Sequence, residues 1–169
     1  MAQVRPARQE DLPAIVEIHN ARLTETTHEW TEVEHTVTEW SEILERKQRR
    51  HEPLLVSEVE GEVVGWTTYG DFRDTGRWEC YSVSVEHTIH VHQDHWGQGI
   101  GRALMDALAE AARQAGKAVM VAGIDSTNVE SIAFHARLGF TETARMPGVG
   151  QKLGRRLDLV LMQKDLTTP

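Results

Sequence analysis

Apolar residues change their period several times along the chain, and each change marks an element. Val4 opens a short extended segment that Pro6 closes. Leu12, Ile15, Ile18 and Ala21 then recur at helical spacing behind Asp11 and Pro13, which predicts a helix with proline in its first turn. Val33, Val37, Trp40 and Leu44 repeat that spacing and predict a second amphipathic helix over 33–47. From Leu54 the period shortens. Residues 54–59 and 63–69 read as strands around the turn Glu60-Gly61-Glu62, a hairpin. The polar, glycine-containing stretch 71–78 reads as a loop. Between 81 and 92, Val83, Val85, Ile89 and Val91 alternate with polar residues, so a strand is expected, continuous or broken near Glu86. Ile100, Leu104, Leu108, Ala111 and Ala115 form one face of a strong helix that Gly116 stops. Residues 117–124 read as a buried strand, and 125–128 offer N-caps for a short helix ending at Leu138-Gly139. Residues 140–145 and 157–164 read as two last strands, joined by a loop with Pro147, Gly148, Gly150 and Gly154.

The order is strand, two helices, three strands, helix, strand, helix, two strands. It predicts an α/β or α+β fold, a mixed sheet with helices packed on it. A chain of 169 residues suits one domain over 1–169, burying about 70% of its unfolded surface. With 40% hydrophobic and 26% charged residues, disordered and fibrous classes are poor fits. A net charge of −8 argues against a general nucleic-acid binder. The longest uncharged apolar stretch, 118–124, is far short of the roughly 20 residues of a membrane span, and the N-terminus lacks a secretory apolar run. One cysteine, Cys80, cannot make an internal disulfide or a cysteine-only metal knot. A soluble cytoplasmic protein is expected.

Gly97, Gly99 and Gly101 lie where a strand hands over to a helix. The first N–H groups of a helix have no intrahelical partner and carry partial positive charge, and glycines let that backbone approach a phosphate. The Walker signature fails, because Gly101 is followed by Arg102-Ala103, and the dinucleotide fingerprint fails because Arg102 stands where its last glycine belongs. The spacing alone leaves a ligand-free turn open.

The run His90-Val91-His92-Gln93-Asp94-His95-Trp96-Gly97-Gln98-Gly99-Ile100-Gly101-Arg102-Ala103-Leu104 resembles the acyl-CoA motif of the GNAT superfamily of N-acetyltransferases. Gly123-Ile124-Asp125-Ser126-Thr127-Asn128-Val129-Glu130-Ser131-Ile132, His135-Ala136-Arg137-Leu138-Gly139-Phe140 and the stretch 149–158 are similar to one subfamily, the phosphinothricin and methionine sulfoximine acetyltransferases. The resemblance runs from Val4 to Leu166. It implies a mixed, mostly antiparallel sheet whose splayed strand pair holds acetyl-CoA. It also implies that Ile89, His90 and Val91 hold the pantetheine arm and that Gly97, Gln98, Gly99, Ile100, Gly101 and Arg102 wrap the pyrophosphate. Trp96 departs from the arginine or glutamine common at its position.

The same resemblance makes Glu86 the carboxylate that takes a proton from the substrate amine, directly or through water. It gives the Val91 N–H to the oxyanion formed at the thioester. His135 stands where many relatives have a proton-donating tyrosine, so it either protonates the thiolate or packs against the cofactor. Asn128 is either a polar contact to cofactor or substrate or an N-cap, and Arg137 joins the cofactor contacts. Phe72, Arg73 and Trp78 fall in the substrate loop, where an arginine suits a carboxylate. The segment 72–86 is a few residues longer than in the relatives, and Arg156 replaces an aromatic residue.

Three other readings compete. His87, His90, His92 and His95 invite a metal site, for which the chain offers no clear carboxylate or cysteine complement; no metal is expected. A non-catalytic acyl-CoA module and a peptide or protein acetyltransferase share the fold. The favoured expectation is direct acetyl transfer to the amino group of a small amino-acid-like molecule of the phosphinothricin, methionine sulfoximine or methionine sulfone type. A homodimer is expected from the resemblance alone.

Overall fold

The computed structural model describes residues 2–167. Its elements follow the expected order: β1 (Gln3–Pro6), α1 (Leu12–Asn20), α2 (Val37–Arg49), β2 (Leu54–Val59), β3 (Glu62–Asp71), β4 (Ser84–Val91), α3 (Ile100–Gln114), β5 (Val119–Asp125), α4 (Val129–Arg137), β6 (Thr141–Lys152) and β7 (Arg155–Asp165). This is a mixed α/β arrangement of seven strands, mostly antiparallel, and four helices. The chain divides into two compact units. The first takes the residues through Ala21, His35–Gly70 and His87–Ala115; the second takes Arg22–Glu34, Asp71–Glu86 and the residues from Gly116 on.

In the first unit the strands run in the order β1-β2-β3-β4. Alternation along β2 separates the two faces. Leu54 and Val56, with Trp66 of β3, meet Leu12, Ile15 and Ile18 of α1 and Trp40 and Leu44 of α2. Leu55 and Val59, with Val64, Ile89 and Val91, meet Ile100 and Leu104 of α3. Trp66 sits 4.8 Å from both Trp40 and His90, edge-on to the first and stacked on the second. His19 adds edge contacts to Trp40 and His90. Arg5 of β1 grips both carboxylate oxygens of Asp11 at 2.7 and 2.8 Å and also reaches Glu58 of β2 at 2.8 Å. The Arg5 guanidinium thereby holds the Asp11 carboxyl below the usual carboxylate range, against the opposing effect of burial.

Helix α2 starts later than the apolar spacing predicts. Val33 is exposed, and Thr36 caps the helix in a reciprocal box: its Oγ1 accepts from Glu39 N at 3.2 Å while Glu39 Oε2 accepts from Thr36 N at 2.7 Å. The cap outweighs the helical spacing of Val33.

The second unit carries the strand order β4-β5-β7-β6, with β4 common to both units. Here Ser84, Val85 and Glu86 pair in parallel with Val119, Met120 and Val121. β5 pairs antiparallel with β7 from Val119↔Asp165 through Asp125↔Leu159. Val85, Met120, Ala122, Ile124, Leu157, Val160 and Met162 are buried. Residues 79–83 form a 3-10 turn, so β4 begins at Ser84 rather than Tyr81.

The expected loop after Arg145 is instead strand. β6 runs on to Lys152, and a register shift between Met146 and Gly150 absorbs Pro147 in a bulge, where its missing N–H breaks no ladder bond. Asp158 accepts from Gly148 N at 2.8 Å, and the Arg156 guanidinium donates to Gly148 O. The Trp30 ring lies against Gly150 in the space a Cβ would fill.

Candidate active site

The glycine turn has the geometry an anionic ligand needs. Gly97 (φ 75°) and Gly99 (φ 83°) adopt left-handed backbone that side chains rarely tolerate, and nothing lies within 4 Å of where either Cβ would be. Gly99 precedes α3, and the first intrahelical bond runs from Ala103 N to Gly99 O at 3.1 Å. The N–H groups of Ile100, Gly101 and Arg102 thus precede the first intrahelical bond and stand at the helix N-terminus. Ile100 is a backbone contributor only, since its side chain is buried in the core. Arg102 is exposed and 4.0 Å from Asp106. The Gln98 side chain is turned back to Asp94 O at 3.1 Å, which shapes the turn. Trp96, the departure noted from sequence, braces it too: its indole N–H donates to Val91 O at 2.7 Å.

Strand β4 supplies a second set of donors. His92 N donates to Val64 O at 2.8 Å and Phe72 N to Ser84 O at 3.5 Å, which fixes the antiparallel β3–β4 register and points the even-numbered backbone groups of β4 at β3. The odd-numbered groups point to the opposite edge. Ala118 N meets Val83 O there at 2.8 Å, but the β4–β5 ladder ends at Glu86. The N–H groups of Ile89 and Val91 thus lie along an edge with no ladder beyond Glu86. His90 does not join them: its backbone faces β3 and its ring is stacked on Trp66. The four histidines also do not converge, because His87 and His90 occupy opposite faces of β4, and His92 sits beside His95 and Asp94.

In the second unit Glu86 is solvent-accessible, yet enough protein surrounds it that incomplete hydration pushes its carboxyl above the usual carboxylate range, with the charge of Arg73 pulling the other way. Arg73 lies over the Phe72 ring at 5.4 Å, and Phe72 meets Tyr81 edge-on at 6.1 Å. Trp78 is 44% exposed with Arg77 over its ring at 4.6 Å, so it offers an open aromatic surface.

Asn128 is the N-cap of α4, its Oδ1 accepting from Ser131 N at 3.1 Å, which leaves its amide nitrogen as the atom able to face a ligand. His135 is buried. Desolvation lowers its pKa, and the Ser131 carbonyl at 2.7 Å from Nδ1 opposes that shift. Because a carbonyl only accepts, Nδ1 carries the proton, and Nε2 is the acceptor of the neutral ring. Arg137 is exposed at the end of α4.

Sequence reasoning missed a node at the end of β5. Buried Asp125 accepts from the hydroxyls of Thr127 (2.7 Å) and Thr27, and Arg155 reaches the Thr27 hydroxyl at 3.3 Å. Burial alone would raise the Asp125 pKa, but these hydrogen bonds bring it below the ordinary value. Lys152, also buried, donates to Glu29 O at 2.8 Å. Asp125 reads in sequence only as an N-cap candidate, and no signal ties Thr27, 98 positions away, to it.

The Acetyltransferase (GNAT) family model matches residues 15–140. The chain belongs to the GNAT acetyltransferase family. An L-methionine sulfoximine/L-methionine sulfone acetyltransferase of Salmonella typhimurium is 42% identical over 163 residues, 96% of this chain and 94% of the relative. A phosphinothricin N-acetyltransferase of Streptomyces viridochromogenes is 32% identical, covering 99% of this chain and 89% of the relative. The solved structure of a Salmonella typhimurium acetyltransferase with its cofactor acetyl-CoA superposes with a TM-score of 0.93 at 41% identity, covering 100% of this chain and 96% of that one. The residues of this GNAT chain fit acetyl-CoA: the α3 terminus and its two left-handed glycines suit a pyrophosphate, and the Ile89 and Val91 edge suits an amide-bearing arm.

A bulky residue at Gly99 must adopt the left-handed backbone and place its side chain in the open turn. Gly99→Val is expected to weaken acetyl-CoA binding at least about tenfold by calorimetry while the far-ultraviolet spectrum is kept. Unchanged binding would remove the phosphate assignment.

Proposed function

We propose that residues 1–169 form one catalytic domain that transfers acetyl from acetyl-CoA directly to the amino group of a small amino-acid-like substrate. Methionine sulfone, methionine sulfoximine and phosphinothricin are the leading classes, by the names of the relatives. The observation that carries the reading is Glu86: an accessible carboxylate with a raised pKa, at the residue where the β4–β5 ladder stops, under the influence of one arginine, Arg73. A carboxyl tuned upward is a better proton acceptor near neutral pH than an ordinary one.

In this reading Arg73 takes the substrate carboxylate, Phe72 and Trp78 flank it, and Glu86 receives the ammonium proton. Glu86 takes that proton directly or through a water molecule. The Val91 N–H steadies the developing oxyanion, with Ile89 on the same edge holding the arm. Gly97 through Arg102 hold the pyrophosphate by backbone. His135, neutral with its one ring proton on Nδ1 held by the Ser131 carbonyl, packs on the cofactor side, and the CoA thiolate released by the transfer takes its proton from water. Asn128 and Arg137 complete the cofactor side. Cys80, exposed, has no part in the transfer.

We place the enzyme in the cytoplasm. Among the described residues no helix is long and apolar enough to cross a membrane. We further propose a homodimer built on the exposed apolar side chains Met146, Val149 and Leu153 of β6 and its turn; a monomer mass by sedimentation would remove it.

Glu86→Gln should lower kcat on the order of 10²- to 10⁴-fold, leave acetyl-CoA affinity unchanged and abolish the acid limb of the kcat/KM profile. Because the fold raises the Glu86 pKa, the ionised carboxylate costs stability once pH exceeds its unfolded value. The variant should therefore be as stable as the parent, or more so, at pH 7. Equal loss of turnover and cofactor affinity would count against the base. Thiol release across sulfone, sulfoximine, phosphinothricin, simple amines and a basic peptide tests the substrate, and activity on the peptide alone would overturn it.

A further inference from the structure

Glycine inside a strand has no side chain to pack and loses more backbone freedom than any other residue, so Gly123 in the middle of β5 needs a reason. Conformation does not provide it. Gly123 is absent from the left-handed glycines and pairs with Leu161 of β7 in undisturbed register, so any residue could adopt its backbone. Space does. A Cβ on Gly123 would lie 2.9 Å from Glu86 Oε1 and 3.4 Å from Leu159 Cδ1. Val121 is the ladder partner of Glu86, and Gly123 is the next residue of β5 on the same face. The carboxylate therefore extends along β5 and rests where a side chain at 123 would stand.

We propose that Gly123 is a positioning residue for Glu86, its missing side chain being what allows the carboxylate to lie against β5 in the orientation from which it accepts the substrate proton. The inference rests on the reading of Glu86 as the base. The obstruction is the far end of a flexible side chain and not backbone, so an added methyl displaces the carboxylate and leaves the strand in place. The effect falls on the geometry of the base, and the fold is spared. A methyl there also excludes water from one carboxylate oxygen, which disfavours the charged form.

Four variants of the full chain test this: Gly123→Ala, Glu86→Asp, the two combined, and Glu86→Gln. Gly123→Ala should melt no lower than the parent and bind acetyl-CoA equally well. Its kcat/KM for the amine should fall about 10- to 100-fold, since misplacement by an ångström or less is that expensive to a reacting group. Its acid limb should move to higher pH, because the base must lose its proton to act. In the Glu86→Asp background the carboxylate is one methylene shorter and no longer reaches the methyl, so the same glycine substitution should cost little, and the two effects are not additive. Equal losses in both backgrounds, or Gly123→Ala with the parent rate and pH profile, would overturn the positioning role. Glu86→Gln separates the two ideas: full activity there removes the base itself, whereas lost activity beside a parent-like Gly123→Ala removes only the positioning.

Discussion

Parallel pairing of β4 with β5 lasts for three residue pairs, Ser84 with Val119 through Glu86 with Val121, and the chemistry of the site follows from its stopping there. A backbone N–H is an obligatory donor, and a strand edge without a ladder presents a row of them. β4 is held in register by β3, so its even-numbered groups are satisfied and its odd-numbered ones, at Ile89 and Val91, face outward from that pairing. The unpaired edge that would be a liability on an ordinary sheet is, in the function proposed above, the element that holds the cofactor arm. The turn that follows adds three more donors at the start of α3, and Trp96 ties the turn to Val91.

The end of the ladder also decides the electrostatics of Glu86. It lies on a strand, with its Cα opposite Val121 of β5, so the carboxylate is positioned by strand geometry rather than by a mobile loop, and partial enclosure raises its pKa. With Glu86 as the proposed base, function and stability pull in opposite directions at that residue, as is common where activity needs a destabilised group. The ionic contacts elsewhere work the other way: Asp11, gripped by Arg5, and Asp125, held by two threonine hydroxyls, have lowered pKa values and favour the folded state above the acid range.

Much of this was legible from residue order. Period changes gave every element in its place, and the glycine run between a strand and a helix offered a phosphate site as one of two readings of that turn. Boundaries fared worse where local chemistry overrode period: the Thr36 box delayed α2, and a bulge carried β6 through Pro147. Which of Ile89, His90 and Val91 turns its backbone toward β3 was not legible in the sequence, because register with β3 alone decides which backbone groups face which neighbour. The Thr27–Asp125 bond and the space at Gly123 were illegible for a related reason: each depends on residues far apart in the chain meeting at sub-ångström tolerance, which no spacing rule encodes.

Residue-resolved amide hydrogen exchange with and without acetyl-CoA tests the central claim, that the free edge of β4 and the first turn of α3 are the cofactor's donors. In the free protein the amides of Ile89, Val91, Ile100, Gly101 and Arg102 should exchange quickly while those of His90 and His92 are protected. Saturating acetyl-CoA should slow all five. Protection of His90 and His92 unchanged, with Ile89 and Val91 still exchanging fast in the complex, would contradict the account and place the arm elsewhere.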